Sequence, residues 1–403
     1  MEDLIIVGGG ASGLIAAIFA AKKGLKVTIL EHKDRIGKKI LATGNGKCNF
    51  TNLYMDIGCF RSENLPFVEK VLNKFSNLET IAFFKSLGIY PKDIKGYVYP
   101  NSEQALSLLK VLELEIKHLG VKVLCDIKVE SISKSKSGFL VHTNYCNYKT
   151  RKVILATCGC SSKNLGSDGS GFEIAKGLGH RIIHPLPAMV QLRSNDTYFH
   201  MVAGVRSHAL IKLYSKDELL WKERGELQFT KYGVSGIPIL QLSRFASKAL
   251  YKSQKVKLKI DFMPDINWAS LKEMLKDRGF QTPYKNIEEV FYGLFNNKLT
   301  LCLLKEAGIP KDLPWSDLSK KQLNTLVSKI KSFEVNISAT NSFDQSQVTA
   351  GGVDTKEINP ETMESKICKN LYFCGEIIDV DGTCGGYNLQ WAWSSGFVAG
   401  SSI

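Results

Sequence analysis

The sequence predicts an α/β protein of three layers carrying an insertion, and three observations predict it. The run Leu4-Ile5-Ile6-Val7-Gly8-Gly9-Gly10-Ala11-Ser12-Gly13 reads as a strand, a glycine turn and the start of an alanine-rich helix. A second apolar run, Val27-Thr28-Ile29-Leu30, ends on the acid Glu31. At the far end, Leu371-Tyr372-Phe373-Cys374-Gly375 and then Gly385-Gly386-Tyr387-Asn388 repeat the sequence of strand, glycine turn and helix start.

Each element of the first unit has a physical task. Gly8 permits the tight turn, Gly10 lets backbone approach a pyrophosphate, and Gly13 lets the helix lie close on the strand. The helix opening at Ala11 and Ser12 then offers free N–H groups to phosphate. Glu31 accepts from a ribose hydroxyl, which makes this a Rossmann-type unit of about thirty residues. Because no Arg follows Glu31 directly, the site suits an adenosine with a free 2′-hydroxyl, as in FAD or NAD. The C-terminal return decides between them: a dinucleotide gripped by both ends of one chain is the FAD arrangement. Gly375, Glu376, Gly385, Gly386, Tyr387 and Asn388 are therefore assigned to FAD, with Asp379 on the ribityl hydroxyls. The helix start near Gly386 aims backbone N–H groups at the flavin edge where negative charge develops. Lys39 and the polar, glycine-rich loop with Gly44, Asn45, Gly46 and Asn49 are assigned to wrapping the cofactor and the substrate edge.

Between these ends, helical patterning is read around Phe67–Leu87 and over Glu103–Leu119. Short strands over Val121–Asp126, Ile127–Ser133, Gly138–Thr143 and Val153–Ala156 read as a β-meander returning to the nucleotide domain. Gly166-Ser167-Asp168-Gly169-Ser170-Gly171 opens a helix ending at Gly179, and Pro185 and Pro187 mark the exit into the insertion. His180 and His184, flanking a turn, read as packed or solvent-facing. The expected division is an FAD-binding domain over 1–188 and 336–403, a basic β-barrel-like insert over 189–265 and a helical sub-domain over 266–335.

Composition narrows the class. With 403 residues, 44% of them hydrophobic, the chain can bury a sizeable core. No charged leader precedes an apolar stretch and no segment approaches a membrane span, so a cytoplasmic protein without membrane attachment is expected. The ten cysteines form no CxxC pair and have no His at ligand spacing, so reduced thiols and no metal are expected. The net charge is +14, and residues 205–260 hold twelve Lys or Arg against four Asp or Glu, a net of +8. Arg244, Lys248, Lys252 and Lys255 follow at helical spacings, and Lys255, Lys257 and Lys259 then alternate as on one side of a strand, with no acid between. Arg244, Lys248, Lys252 and Lys255 form the expected polyanion-binding face, beside Phe245 and Tyr251; a merely solvated face is the other reading. For a proton donor near the flavin, the available groups are Cys48, Cys384 and Tyr387. A thiol at a helix N-terminus can have a lowered pKa, which favours thiolate.

Several motifs resemble one family in order along nearly the whole chain. They are Gly37-Lys38-Lys39, Gly44-Asn45-Gly46-Lys47-Cys48-Asn49-Phe50-Thr51-Asn52, Gly225-Glu226-Leu227-Gln228-Phe229-Thr230 and Gly233-Val234-Ser235-Gly236. Val348-Thr349-Ala350-Gly351-Gly352-Val353, Thr362-Met363-Glu364-Ser365-Lys366 and Gly385-Gly386-Tyr387-Asn388-Leu389-Gln390 complete the series. Together they resemble the BaiN/RdsA family of NAD(P)/FAD-dependent oxidoreductases. Cys158, Cys374 and Cys384 stand where small residues are usual there, and Lys47 where Arg is usual. The resemblance implies FAD, NAD(P)H as electron donor, and reduction of a conjugated C=C bond, either a ribosomal RNA uridine or a steroid-type enone. It also implies relatives that oxidise small amines such as aminoacetone. A flavin-bound RNA-assembly factor without chemistry is a further alternative. The basic insert favours ribosomal RNA as partner; a small-molecule substrate is the alternative.

Overall fold

The computed structural model describes residues 2–403 and divides into two compact units, residues 2–186 with 343–403, and residues 187–342. The first is organised by a seven-stranded sheet. Lys122–Leu124, Val27–Leu30, Glu2–Val7 and Tyr148–Leu155 lie side by side in parallel, followed by Gly138–Thr143 and Val129–Ser135 in antiparallel pairing. In register, Ile5 lies between Thr28 and Val153. Leu4, Ile5 and Ile6 are wholly buried, as a strand covered on both faces must be.

The strand Tyr148–Leu155 changes partner along its length. Its first half pairs with the meander and its second half, Val153–Leu155, pairs in parallel with Leu371–Phe373. The C-terminal return therefore enters the sheet where the meander leaves it. The chain ends in the helix Tyr387–Ser401, which crosses the first helix, Ala11–Ala21, backbone against backbone. A Cβ on Gly396 would lie 2.5 Å from the Ser12 carbonyl oxygen, and one on Gly400 would lie 2.4 Å from that of Ala16. A separate three-stranded sheet joins Thr51–Asn52, Tyr97–Pro100 and Pro91–Ile94.

The second unit holds another seven-stranded sheet, in the order Phe333–Ile337, Val256–Asp261, Arg206–Ser215, Glu218–Thr230, Gly233–Ser235, Leu192–Arg193, Ala339–Thr340. Only Ser338 separates its first and last strands in sequence, so one chain segment connects the two edges. Ala209, Ile211, Leu213, Leu258 and Val335 from this sheet share one apolar core with Leu242 and Ala246 of the helix Ile237–Tyr251. Leu271, Leu303 and Leu326 from three later helices join the same core. Among the described residues no helix is long and apolar enough to cross a membrane.

Candidate functional site

The first turn carries out what its glycines require. Gly8 has φ +104°, and a Cβ there would meet the Ala156 carbonyl oxygen at 2.7 Å; a Cβ on Gly13 would meet the Gly8 carbonyl oxygen at 2.1 Å. Gly10 is different, since the nearest atom to its missing Cβ is Cys158 Sγ at 3.8 Å, across open space. No side chain caps the helix that follows, so the first N–H groups, those of Ala11, Ser12 and Gly13, are left for a ligand. Glu31, 8% exposed, accepts from Gly9 N at 2.9 Å with one carboxylate oxygen and from Lys33 N at 2.8 Å with the other. Both bonds fix the carboxylate at the end of its strand.

A crevice lined by Gly8, Gly10, Glu31, His32, Lys39, Thr157 and Cys158 runs along these ends. Two buried polar atoms on its walls, Thr157 Oγ1 and His32 Nε2, have no hydrogen-bond partner among the described residues. Buried polar atoms are rarely left so, and an adenine dinucleotide has the hydroxyls, ring nitrogens and phosphates to meet them. The residues present fit FAD.

The start of the chain and its return are fastened together at this crevice. Lys39 Nζ lies 2.6 Å from Glu376 Oε2, whose other oxygen accepts from Thr349 N at 2.8 Å. Burial alone would lower the Lys39 pKa, but Glu376, together with the nearby Cys158 and Cys160, more than offsets it and the group stays protonated. Ser12 Oγ donates to the Cys374 carbonyl, so this side chain holds the return strand while its backbone remains at the turn. Gly375, at φ +81°, donates to Ser395 Oγ and accepts from Trp391 Nε1.

The loop Gly44 to Asn52 meets the second helix start. Gly44 and Asn45 take left-handed conformations, and Gly46 has φ +82°. Thr51 Oγ1 donates to Gln390 Oε1 at 2.6 Å, and Trp393 Nε1 donates to the Phe50 carbonyl at 2.8 Å. Gly386 packs so closely that a Cβ would lie 2.7 Å from the Thr51 carbonyl oxygen and 3.0 Å from Asn49 Oδ1. That Asn49 oxygen is likewise buried without a hydrogen-bond partner among the described residues. As at the first turn, no side chain caps the helix after Gly386. Asn388 uses both ends of its carboxamide on the backbone of Gly382, at 2.8 and 2.9 Å, and so shapes the turn. Asp379, buried, accepts from Gly351 N at 3.1 Å and ties the return to the strand Val348–Val353.

Three readings of individual residues are corrected here. Cys48 is wholly buried at φ +57°, and burial pushes its thiol up to about 12, so it offers no accessible proton. Tyr387 is buried and its hydroxyl donates to the Tyr54 carbonyl at 2.8 Å; burial raises its pKa above the usual phenol value. Cys384 alone of the three remains half-buried in the turn itself. Arg244 is buried although Lys252 and Lys255 are exposed, because the helix Ile237–Tyr251 is covered on that side as well as on its apolar side. The alternating lysines are also paired: Lys257 with Asp217 at 2.9 Å and Lys259 with Glu334 at 3.6 Å. His180 is packed, its ring nitrogens facing Glu357 Oε2 at 3.0 Å and Ser365 Oγ at 2.9 Å.

Sequence reasoning did not single out His32, Thr157 or Tyr97, while Asn52 ends the loop it assigned to the cofactor. Asn52 Nδ2 donates to the Gly385 carbonyl at 2.9 Å, and the Tyr97 ring covers the same glycine. The alternation Tyr97-Val98-Tyr99 was the available signal, with both rings on the face opposite the buried Val98.

The description "HI0933-like protein Rossmann domain" matches residues 2–402. The chain is 42% identical to the 3-dehydro-bile acid delta(4,6)-reductase of Clostridium scindens, over 99% of this chain and 98% of that protein. It is 32% identical to the ribosomal RNA dihydrouridine synthase of Haemophilus influenzae and 29% identical to that of Escherichia coli, in each case over 100% of this chain and 98% of the relative. With the nucleotide turn, the C-terminal return and this likeness along its whole length, the chain belongs to the HI0933-like family of FAD-dependent oxidoreductases.

Proposed function

We propose that the chain is an NAD(P)H-driven reductase of a carbon–carbon double bond conjugated to a carbonyl, with a uridine of ribosomal RNA as its substrate. The observation that carries the reaction type is the whole-length likeness to proteins whose names describe that one chemistry, on a dienone and on uridine. Bound FAD supplies hydride transfer.

The chain's own groups do the rest. The uncapped N–H groups of Ala11, Ser12 and Gly13 hold the pyrophosphate, and Glu31 takes a ribose hydroxyl. Lys39, held by Glu376, keeps a positive charge on the crevice wall. The uncapped helix start after Gly386 favours negative charge beside it. Saturating the double bond also requires a proton, and Cys384 Sγ is the group assigned to deliver it.

RNA as the substrate is supported by the charge of the second unit. Lys252 and Lys255 are exposed, and Lys212 and Lys222 stand directly opposite each other on neighbouring strands. Among the described residues none of these four forms an ion pair. Like charges placed opposite one another oppose folding and are relieved by an anion such as a phosphate. The greater identity to the bile-acid reductase favours a second reading, a small-molecule enone.

The test is anaerobic incubation of purified holoprotein with NAD(P)H and large-subunit ribosomal RNA lacking dihydrouridine, in parallel with a steroid dienone. The proposal expects one uridine to gain two hydrogens, and Cys384→Ala to slow this by about 10² to 10⁴-fold. Reduction of the dienone alone replaces RNA with the second reading.

A further inference from the structure

The small sheet beside the Gly385 turn ends in an apolar tip. Ile94 and Tyr97 face each other across the two-residue turn Lys95-Gly96, both at positive φ (54° and 91°), as a tight hairpin requires. Around this tip Leu53 is 41% exposed, Tyr54 73%, Ile94 40% and Tyr97 39%. A cluster of large apolar side chains left in water marks an interaction surface rather than a core.

The tip is fastened to the site. A Cβ on Gly385 would lie 2.8 Å from Tyr97 Cε1, and Asn52, the cross-strand partner of Tyr97, donates to the Gly385 carbonyl. Tyr387, the first residue of the C-terminal helix, donates to the Tyr54 carbonyl. The Tyr97 hydroxyl makes no hydrogen bond among the described residues. Two positions on, Tyr99 lies on the same face of the strand and approaches Gly44, so the two rings reach both glycine loops assigned to the cofactor.

We propose that this tip is the platform on which a uracil base, splayed out of its RNA, stacks, with Tyr97 as the stacking residue beside the Gly385 turn. The inference rests on the reductase reading above and names the surface through which its substrate arrives. An open aromatic tip suits a flat base, which needs one covered face, and single-stranded bases are held in this way. A steroid nucleus needs a concave pocket that buries most of its surface, which a protruding hairpin does not provide. Lys95, exposed in the turn and in no ion pair among the described residues, supplies a cation for the adjoining phosphate.

The experiment measures binding of a short oligouridylate to the holoprotein, next to the same oligomer built from 5,6-dihydrouridine, whose ring is not planar. Tyr97→Ala should weaken oligouridylate binding by about tenfold or more, and Tyr97→Phe by less than about threefold, because the stacking face survives. FAD content per chain, measured on each variant, reports whether the cradle is intact. Unchanged affinity in Tyr97→Ala, or equal binding of the planar and non-planar oligomers, overturns the platform. Loss of steroid-enone binding without loss of oligouridylate binding overturns RNA as its occupant. Oligouridylate binding that depends on Tyr97, without dihydrouridine formation, keeps the platform and removes the reductase reading.

Discussion

Glu31 shows how much one side chain can be asked to do. Its carboxylate is oriented by Gly9 N and Lys33 N before any ligand arrives, so a ribose bond there needs little further ordering. A charge-assisted hydrogen bond of this kind contributes about 1.5 to 3 kcal/mol. Glu31→Ala should therefore weaken FAD retention by roughly ten- to a hundredfold, read by equilibrium dialysis of the apoprotein; retention within about twofold would remove the ribose role. The cysteines make a second prediction. Burial pushes Cys48 and Cys374 up to about 12, while Cys146 is exposed. Since the thiolate is the reactive form, alkylation of the native chain at neutral pH, followed by peptide mass spectrometry, should label Cys146 first and leave Cys48 and Cys374 unlabelled until unfolding. Early labelling of Cys48 would reopen it as a reactive group. Residue types were legible in the sequence, but their partners were not. Cys48 reads as reactive in a glycine loop, and only the left-handed turn at Gly44 and Asn45 places it inside. Tyr387 reads as a free phenol until Tyr54 supplies a carbonyl from 333 residues away.

Elements built from local pattern were legible from the sequence: the strand, glycine turn and helix at Val7–Gly13, and the helix from Ala105 to His118; the meander was legible only in part, because Lys122–Leu124, read as its first strand, pairs in parallel with Val27–Leu30 at the other edge of the sheet. What depends on distant pairing was not. Nothing in Tyr148–Leu155 announces that it exchanges one partner strand for another halfway, and nothing in Phe333–Thr340 announces that it reaches both edges of a sheet. The basic helix Ile237–Tyr251 shows the same limit, because spacing sets which side chains share a face but not what covers that face at Arg244. The crossing of the first and last helices depends on glycine in a way that can be tested. In Gly396→Ala the new methyl would stand 2.5 Å from the Ser12 carbonyl oxygen, where only backbone could yield. Overpacking of this kind costs about 1 to 3 kcal/mol. The melting temperature should fall and FAD should be held less tightly, since Ser12 lies in the turn proposed to hold the phosphates. A melting curve identical to that of the unaltered chain would show that the helices can separate without consequence.

The whole molecule joins a dinucleotide cradle made by both ends of the chain to an inserted unit rich in positive charge. The sequence shows the excess charge but not its distribution, since Lys257 and Lys259 find carboxylates on adjacent segments while Lys252 and Lys255 do not. If RNA phosphates are the partner, affinity should fall with salt, and Lys252→Glu with Lys255→Glu should reduce the slope of log K against log salt by about 0.7 for each phosphate no longer neutralised. A slope that stays the same would mark these lysines as solvated only. The central claim, reduction of a uridine in ribosomal RNA, is tested most directly by mass spectrometry of large-subunit ribosomal RNA from a strain lacking this chain. The account predicts that one position holding dihydrouridine in the parent becomes uridine in the deletion, and that the intact gene restores it where a Glu31→Ala copy restores it poorly. Full dihydrouridine content at every position in the deletion strain would contradict it.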